Sequence, residues 1–300
     1  MQEFDVLIIG GSYAGLSAAM SLGRARRPTL ILDTNRPCNR QTPHSHNFLT
    51  QDGATPAALR AQAIEQVRHY PTIEFRADEA LSAVPTEGGF LIQTAADATI
   101  RAKKVVLATG IIDLLPALPG FAECWGISVL HCPYCHGYEV ADQRLGVFGN
   151  GDVGFDFARL IHNWSRQLTL FTNGPSTLTD AQQDVLARHA ITVVEAPITS
   201  LTHQQGVLQA VQLADGTNQP LDAVFARVPF QLSGTLAQQL GCTVTETGYV
   251  QVDDFQRTSV PGVFAAGDNT TPMRALAAAV AAGSKTGAFI NKELIEERFR

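Results

Sequence analysis

Positive charge is scarce in this chain of 300 residues: 22 Lys and Arg stand against 28 Asp and Glu, a net charge of −6. No basic run occurs and none is interleaved with aromatics, so the electrostatic footprint of a nucleic-acid-binding protein is missing. No uninterrupted apolar stretch of about eighteen residues is present, and no membrane span is expected. The opening residues Met1-Gln2-Glu3-Phe4-Asp5 lack a basic region and a cleavage site, which points to the cytoplasm. Cysteine is sparse and odd in number, with five residues at 38, 124, 132, 135 and 242. In a reducing compartment that argues against a structural disulfide framework and leaves room for a catalytic pair. Cys38, Cys124 and Cys242 have no close partner in sequence and are read as buried small hydrophobes.

What the chain has is apolar material, 45% of its residues, and 25 glycines placed where backbones must turn sharply. Its length predicts two domains rather than one core. Phe4 to Ile9 is a continuous apolar run of the kind a buried parallel strand shows. It runs into Gly10-Gly11-Ser12-Tyr13-Ala14-Gly15, then a helix of small and apolar residues, then Thr29-Leu30-Ile31-Leu32 ending at Asp33. This strand–turn–helix–strand unit, closed by an acid, fits the dinucleotide-binding fingerprint, with Ser12 in place of the middle glycine.

The same grammar recurs in the middle of the chain. Arg144 to Phe148 leads into Gly149-Asn150-Gly151-Asp152-Val153-Gly154, followed by a predicted helix from Phe155 to Trp164 and a strand from Leu168 to Phe171. Two such turns, each between strand and helix, predict two Rossmann-like modules. Val105 to Gly110 and Val260 to Asp268 are further buried strands, ending in Thr-Gly and Gly-Asp. Met273 to Phe289 is an Ala-rich stretch expected to pack closely on a sheet, and Asn291 to Arg300 a charged helix end.

Between the modules lies Cys132-Pro133-Tyr134-Cys135-His136. Two cysteines at i and i+3 can close and reopen a disulfide, a two-electron switch. The same letters also fit c-type haem attachment, a glutaredoxin site or half of a zinc site. Against haem stand the absent export signal and only three methionines; against glutaredoxin, the Pro-Gly link before the motif and the glycine turn after it. Zinc needs a second ligand pair, and Cys124 and His131 are not spaced to supply one.

In order and spacing, GGSYAG, VVLATG, CPYCHG, GNGDVG and TSVPGVFAAGD resemble the thioredoxin-reductase-like flavoproteins over essentially the whole chain. The resemblance implies an α/β fold of two Rossmann-like, three-layer ββα domains of the FAD/NAD(P)-binding type. An FAD domain would comprise residues 1–115 and 245–300, with a second domain, 116–244, inserted and carrying the redox cysteines; a homodimer is also implied. By the same resemblance Gly10, Gly11, Ser12, Ala14 and Gly15 would cradle the FAD pyrophosphate and Asp33 would hold the adenosine ribose. Asn47 would lie near the flavin, Thr109 and Gly110 would line the site, and Gly267-Asp268 would meet the ribityl chain. Arg274-Ala275 would begin the helix that reaches the flavin ring.

Two departures bear on function. NADPH-dependent members of the family carry a basic H-R-R-x-x-x-R cluster after the strand that follows the second glycine turn. Here Phe171 is followed by Thr172 to Asp180, with no basic residue before Arg188, and no acid stands at the strand end. Ala226 to Phe230 also replaces the usual I-G-x-x-P-N segment, so the second module lacks the residues that clamp NAD(P)H. His136, for its part, stands where thioredoxin reductases commonly have aspartate. C-x-x-C-H-G-[YF]-E resembles the dithiol oxidases that close disulfides in gliotoxin- and holomycin-type products and pass electrons to oxygen.

If the motif opens a helix, Cys132, Cys135 and His136 share one face, and thiolate is favoured by the helix start and a nearby imidazolium. Cys132 is then assigned as the sulfur that exchanges with a small-molecule dithiol, Cys135 as the one next to the flavin, and His136 as the proton shuttle. Glu139 is placed to orient His136 unless Gly137 ends the helix first. The competing expectations are a reductase of a thioredoxin-like protein, fed by NAD(P)H or by ferredoxin, and a flavin-loaded redox sensor. Segments Gln41–Asp52, with His44 and His46, and Ala226–Ser233 are candidate walls of a substrate pocket.

Overall fold

The computed structural model describes residues 2–300. The chain forms two compact units, one made of residues 1–40, 47–112 and 230–300, the other of residues 41–46 and 113–229. Along the chain the first unit begins with β1 (Gln2–Ile9), α1 (Tyr13–Arg24), β2 (Thr29–Asp33), α2 (Pro56–Arg68) and β3 (Ile73–Ala77). It continues with β4 (Ala80–Thr86), β5 (Gly89–Thr94), β6 (Thr99–Leu107) and β7 (Ile111–Asp113). The second unit holds α3 (Phe121–Cys124), β8 (Val129–Leu130), α4 (Pro133–His136), β9 (Leu145–Phe148), α5 (Gly151–Ile161), β10 (Leu168–Phe171) and α6 (Asp180–Arg188). To it also belong β11 (Thr192–Val194), β12 (Ile198–Gln204), β13 (Val207–Leu213), β14 (Asn218–Pro220) and β15 (Ala223–Ala226). The chain returns to the first unit through β16 (Phe230–Leu232), α7 (Leu236–Gln239), β17 (Val263–Ala265) and α8 (Leu276–Arg298).

In the first unit the sheet runs β3-β2-β1-β6-β5-β4, with β17 also on β6. Strands β3, β2, β1, β6 and β17 pair in parallel, and β4 and β5 continue the sheet antiparallel. Because side chains alternate across a strand, the unbroken apolar run of β1 feeds two cores at once. Val6 and Ile8, with Ile31, Val106 and Phe264, pack against the small residues of α1 and the inner face of α8. Leu7 and Ile9, with Leu30, Leu32, Val105 and Leu107, pack on the other face against Phe90, Ile92 and α7.

The second unit repeats this plan. A parallel sheet, β11-β10-β9-β15-β8, carries α5 and α6 on one face through Phe157, Ile161 and Leu186. On the other face Phe171, Val224 and Val129 meet Leu201, Val211 and Leu213 of the antiparallel β12-β13-β14 sheet. Helix, parallel sheet and antiparallel sheet are the three expected layers.

Three local expectations need revision. Helix α5 starts at Gly151 rather than Phe155, because the last residues of the glycine turn form its first helical turn. The Ala-rich stretch starts at Leu276, since tight turns (Arg274 N–H to Pro272 O, Ala275 N–H to Met273 O, both 3.0 Å) precede it. It then runs without a break to Arg298 and lies on α1 as much as on the sheet. A Cβ at Gly283 would strike the Ala14 carbonyl, and one at Gly287 would sit 2.5 Å from the Ala18 carbonyl oxygen. Among the described residues no helix is long and apolar enough to cross a membrane.

Candidate redox site and cofactor turn

In the second unit Cys132 and Cys135 are joined as a disulfide, with Cα atoms 5.3 Å apart. Cys132 is the N-cap of the single-turn helix α4, Pro133 fills its first position, and the Cys132 carbonyl accepts the N–H groups of Cys135 and His136, both at 3.2 Å. Proline suits that position because its missing N–H has no partner to lose there. Gly137 ends the turn, its N–H on the Pro133 carbonyl at 2.7 Å. A Cβ on Gly137 would lie 2.7 Å from Nε1 of Trp164, so glycine lets the indole press against the redox turn. Trp164 also meets the Tyr134 ring edge-on, with centroids 5.5 Å apart. Four residues of helix carry little macrodipole, so the helix start favours thiolate less than the sequence pattern suggested.

His136 faces another histidine. Its ring stands edge-on to His46, centroids 6.4 Å apart, and the His46 Nδ1 lies 3.4 Å from Oε1 of Glu139. His44 stands a further 6.4 Å from His46. Glu139 thus pairs with His46 rather than His136, because Gly137 ends the helix before an i+3 pair can form. Burial pushes the His136 imidazole below its ordinary value of 6.5; the Glu139 carboxylate opposes that shift and the His46 ring adds to it. The site therefore holds a disulfide followed by an imidazole whose neutral form burial favours.

The glycine turn of this unit is closed by its own loop. Asn150 Oδ1 accepts the N–H of Gly151 at 2.8 Å, the N–H of Thr177 at 2.9 Å and the Thr177 hydroxyl at 3.1 Å, while its Nδ2 donates to the Pro175 carbonyl. Asp152, in the first turn of α5, takes the Gln182 amide at 2.7 Å. The positive end of α5 already has a cap and an acid, the two things that would compete with a phosphate. Arg227, the cation closest in sequence to β15, lies over the Phe157 ring, 4.6 Å from its centroid.

The first unit's turn is built for the opposite purpose. A Cβ at Gly10 would collide with the Ala108 carbonyl, one at Gly15 with the Gly10 carbonyl, and one at Gly11 would sit 2.9 Å from Cβ of Asp33. Gly10 also holds φ at +108°. Ser12, the N-cap of α1, makes no side-chain cap bond, and no acid lies in the first turn, so the helix N-terminus stays open to an anion. Ala14 is buried against α8. Gly110, at φ +66°, faces open space beside half-buried Thr109. Gly267, at φ +98°, precedes Asp268, whose Oδ2 is 3.8 Å from both Nε of Arg274 and Sγ of Cys38. Ala275 is the N-cap of α8. Next to Asp268, Asn269 is buried with its Oδ1 unpartnered. Asn47 sits in a left-handed turn, its N–H on Asp52 at 2.7 Å.

This open cradle, uncapped helix and orphaned acceptor fit a dinucleotide such as FAD. The fold and the disulfide define a flavin-dependent disulfide oxidoreductase. Residues 4–283 match the pyridine nucleotide-disulphide oxidoreductase family model, and the chain belongs to that family. "Thioredoxin reductase sirT" of Leptosphaeria maculans is 32% identical, over 96% of this chain and 93% of its own. An oxidoreductase from Agrobacterium tumefaciens superposes with a TM-score of 0.92 at 35% identity, covering 98% and 99% of the two chains. The crystal structure of HlmI does so at 0.93 and 34%, covering 99% and 94%. The protein is thus a thioredoxin-reductase-like, FAD-binding enzyme.

Some of the sites were not foreseen. The His46–Glu139 pair links positions 93 residues apart in sequence, the Thr177 latch closes from a loop that reads only as polar, and Asp33 proves to be paired with Arg60. Cys124 and Cys242 are buried as expected, and burial raises both thiols above their ordinary range. Cys38 is not: its loop after β2 leaves it exposed beside Asp268.

Proposed function

We propose that the protein is a dithiol oxidase that closes a small-molecule dithiol to a disulfide and delivers the electron pair, by way of FAD, to oxygen. The observation that carries this reading is the contrast between the two glycine turns: one open to an anion, the other capped by Asn150, shadowed by Thr177 and acidified by Asp152. A reductase fed by NADPH needs that second turn for its pyrophosphate.

In this reading one substrate thiol gives its proton to neutral His136, and the thiolate attacks Sγ of Cys132. The Cys132–Cys135 bond breaks and Cys135 leaves as thiolate. The second substrate thiol is deprotonated in turn and attacks the mixed disulfide, releasing the product disulfide and a reduced cysteine pair. Two protons leave the substrate in each cycle and His136 holds one, so the carboxylate-backed His46 beside it serves as its outlet. When bound, FAD supplies the acceptor that reoxidises the cysteine pair and reacts with oxygen to give hydrogen peroxide. Gly10, Gly11, Ser12, Ala14, Gly15, Asp33, Asn47, Thr109, Gly110, Gly267, Asp268, Arg274 and Ala275 are read as the residues that hold it. A cytoplasmic homodimer, with the domain of residues 116–244 inserted between 1–115 and 245–300, completes the reading.

The test is anaerobic stopped-flow mixing with dithiothreitol, NADPH and NADH separately. Bleaching of the flavin by dithiol alone, with peroxide formed when air is admitted, is expected; rapid bleaching by NADPH overturns the reading. The second reading, reduction of a thioredoxin-like protein by NAD(P)H or ferredoxin, draws on relatives that bear the name thioredoxin reductase.

A further inference from the structure

Helix α2 is fastened to the first glycine turn at its beginning. Thr55 caps it by accepting the Ala58 N–H at 3.2 Å, and the Tyr13 hydroxyl of α1 donates to the Pro56 carbonyl at 3.3 Å. One turn further on, this anchoring delivers Arg60 to the junction of turn and strand. Its Nε donates to the Gly11 carbonyl at 3.3 Å, and its Nη2 serves both Oδ2 of Asp33 and Oδ1 of Asn35, the latter at 3.0 Å. The two charged side chains are 17% and 12% exposed, so the pair is largely out of water. Among the described residues, Arg60 meets Asp33 through Oδ2 and no hydrogen bond is made to Oδ1.

We propose that Arg60 is a further positioning residue of the FAD site, acting on the adenosine end of the cofactor through Asp33. A carboxylate at the end of the second strand has two oxygens and a freely turning Cα–Cβ–Cγ axis. Arg60 takes one oxygen and fixes the plane, so that the other is presented to a ribose hydroxyl. Its bond to the Gly11 carbonyl holds the turn in the conformation the pyrophosphate meets, and its charge lies beside a helix N-terminus without an acid. Lysine, a point charge without the planar fork, cannot make this set of contacts together. The proposal rests on FAD lying along the Gly10–Asp33 turn and is independent of which electron acceptor the enzyme uses.

The test is binding to the apoprotein. FAD affinity is read from flavin fluorescence quenching, and affinity for ADP, which carries the adenosine ribose and the diphosphate, from competition with FAD. For Arg60→Ala both affinities should fall about 10- to 100-fold, the range of a lost hydrogen bond to a charged group. Riboflavin, which lacks both ribose and diphosphate, should bind as it does to the wild type. Arg60→Lys should recover only part of the loss. Asp33→Ala combined with Arg60→Ala should be no weaker than the worse single variant, as expected for residues acting as one unit. Wild-type ADP affinity in folded Arg60→Ala, or full additivity in the double variant, overturns the proposal. Should Arg60→Ala fail to fold, Arg60→Lys decides, since wild-type ADP affinity there overturns it too.

Discussion

Nδ1 of His46 lies 3.4 Å from the Glu139 carboxylate while the ring of the same histidine stands edge-on to His136, the residue that follows the redox disulfide. One side chain thus joins a solvent-facing acid to the imidazole that follows the disulfide. Glu139→Gln keeps the size and removes the charge. Dithiol-driven flavin reduction should slow about two- to tenfold, the worth of one such hydrogen bond, with the disulfide still formed. Stopped-flow rates at a series of pH values check this; an unchanged rate and profile would mean that the pair is only structural.

His136 sets an expected pH dependence. Its pKa is lowered by burial, so it stays neutral and able to accept a proton below the ordinary value of 6.5. The acid limb of the exchange rate should therefore fall below pH 6.5, and His136→Gln should abolish that limb with a loss of about 100-fold. The same shift enters stability. The unfolded chain takes up a proton near 6.5 and the folded one resists it, so this contribution is present above 6.5 and lost as pH falls towards the folded pKa. Denaturant melts of the Gln variant should show less acid destabilisation than the wild type.

Close packing of α8 on α1 depends on Gly283 and Gly287. Gly283→Ala would drive a methyl group into the Ala14 backbone and should cost about 1–3 kcal/mol, the usual penalty of overpacking. Thermal denaturation checks the loss. FAD retention should fall as well if, as proposed, Ala14 belongs to the turn that holds the cofactor.

The free-thiol chemistry should be confined to one residue. In the oxidised protein iodoacetamide should label Cys38, which is exposed, and spare buried Cys124 and Cys242, whose thiols burial also raises. Because Sγ of Cys38 is 3.8 Å from Asp268, saturating FAD should slow the labelling. Peptide mass mapping with and without FAD reads both outcomes, and labelling of Cys124 would contradict the structure.

How much of this was legible beforehand follows from the range of the interactions involved. The glycine turns could be read from the chain because close backbone approach admits only glycine, as Gly10 and Gly15 bear out against the Ala108 and Gly10 carbonyls. The β1 run announced a strand buried on both faces because an unbroken apolar run leaves neither face polar. The redox pair was legible because two cysteines three apart can meet within one turn. Where α8 begins was not legible, since turns at Pro272 to Ala275 decide it and alanine-rich sequence is equally helical on either side.

The sequence by itself therefore determined the two strand–glycine turn–helix modules and a cysteine pair spaced to close a disulfide. Their determinants are local: hydrophobic period, glycine and cysteine spacing. Only the tertiary structure decided which turn stays open, by folding the Thr177 loop onto Asn150 in one unit and leaving the α1 N-terminus without a side-chain cap bond in the other. It alone paired Glu139 with His46 and Arg60 with Asp33, and left Cys38 exposed. Those outcomes depend on side chains dozens of residues apart being brought within hydrogen-bond reach. No periodicity encodes that; it follows from how the strands and helices pack.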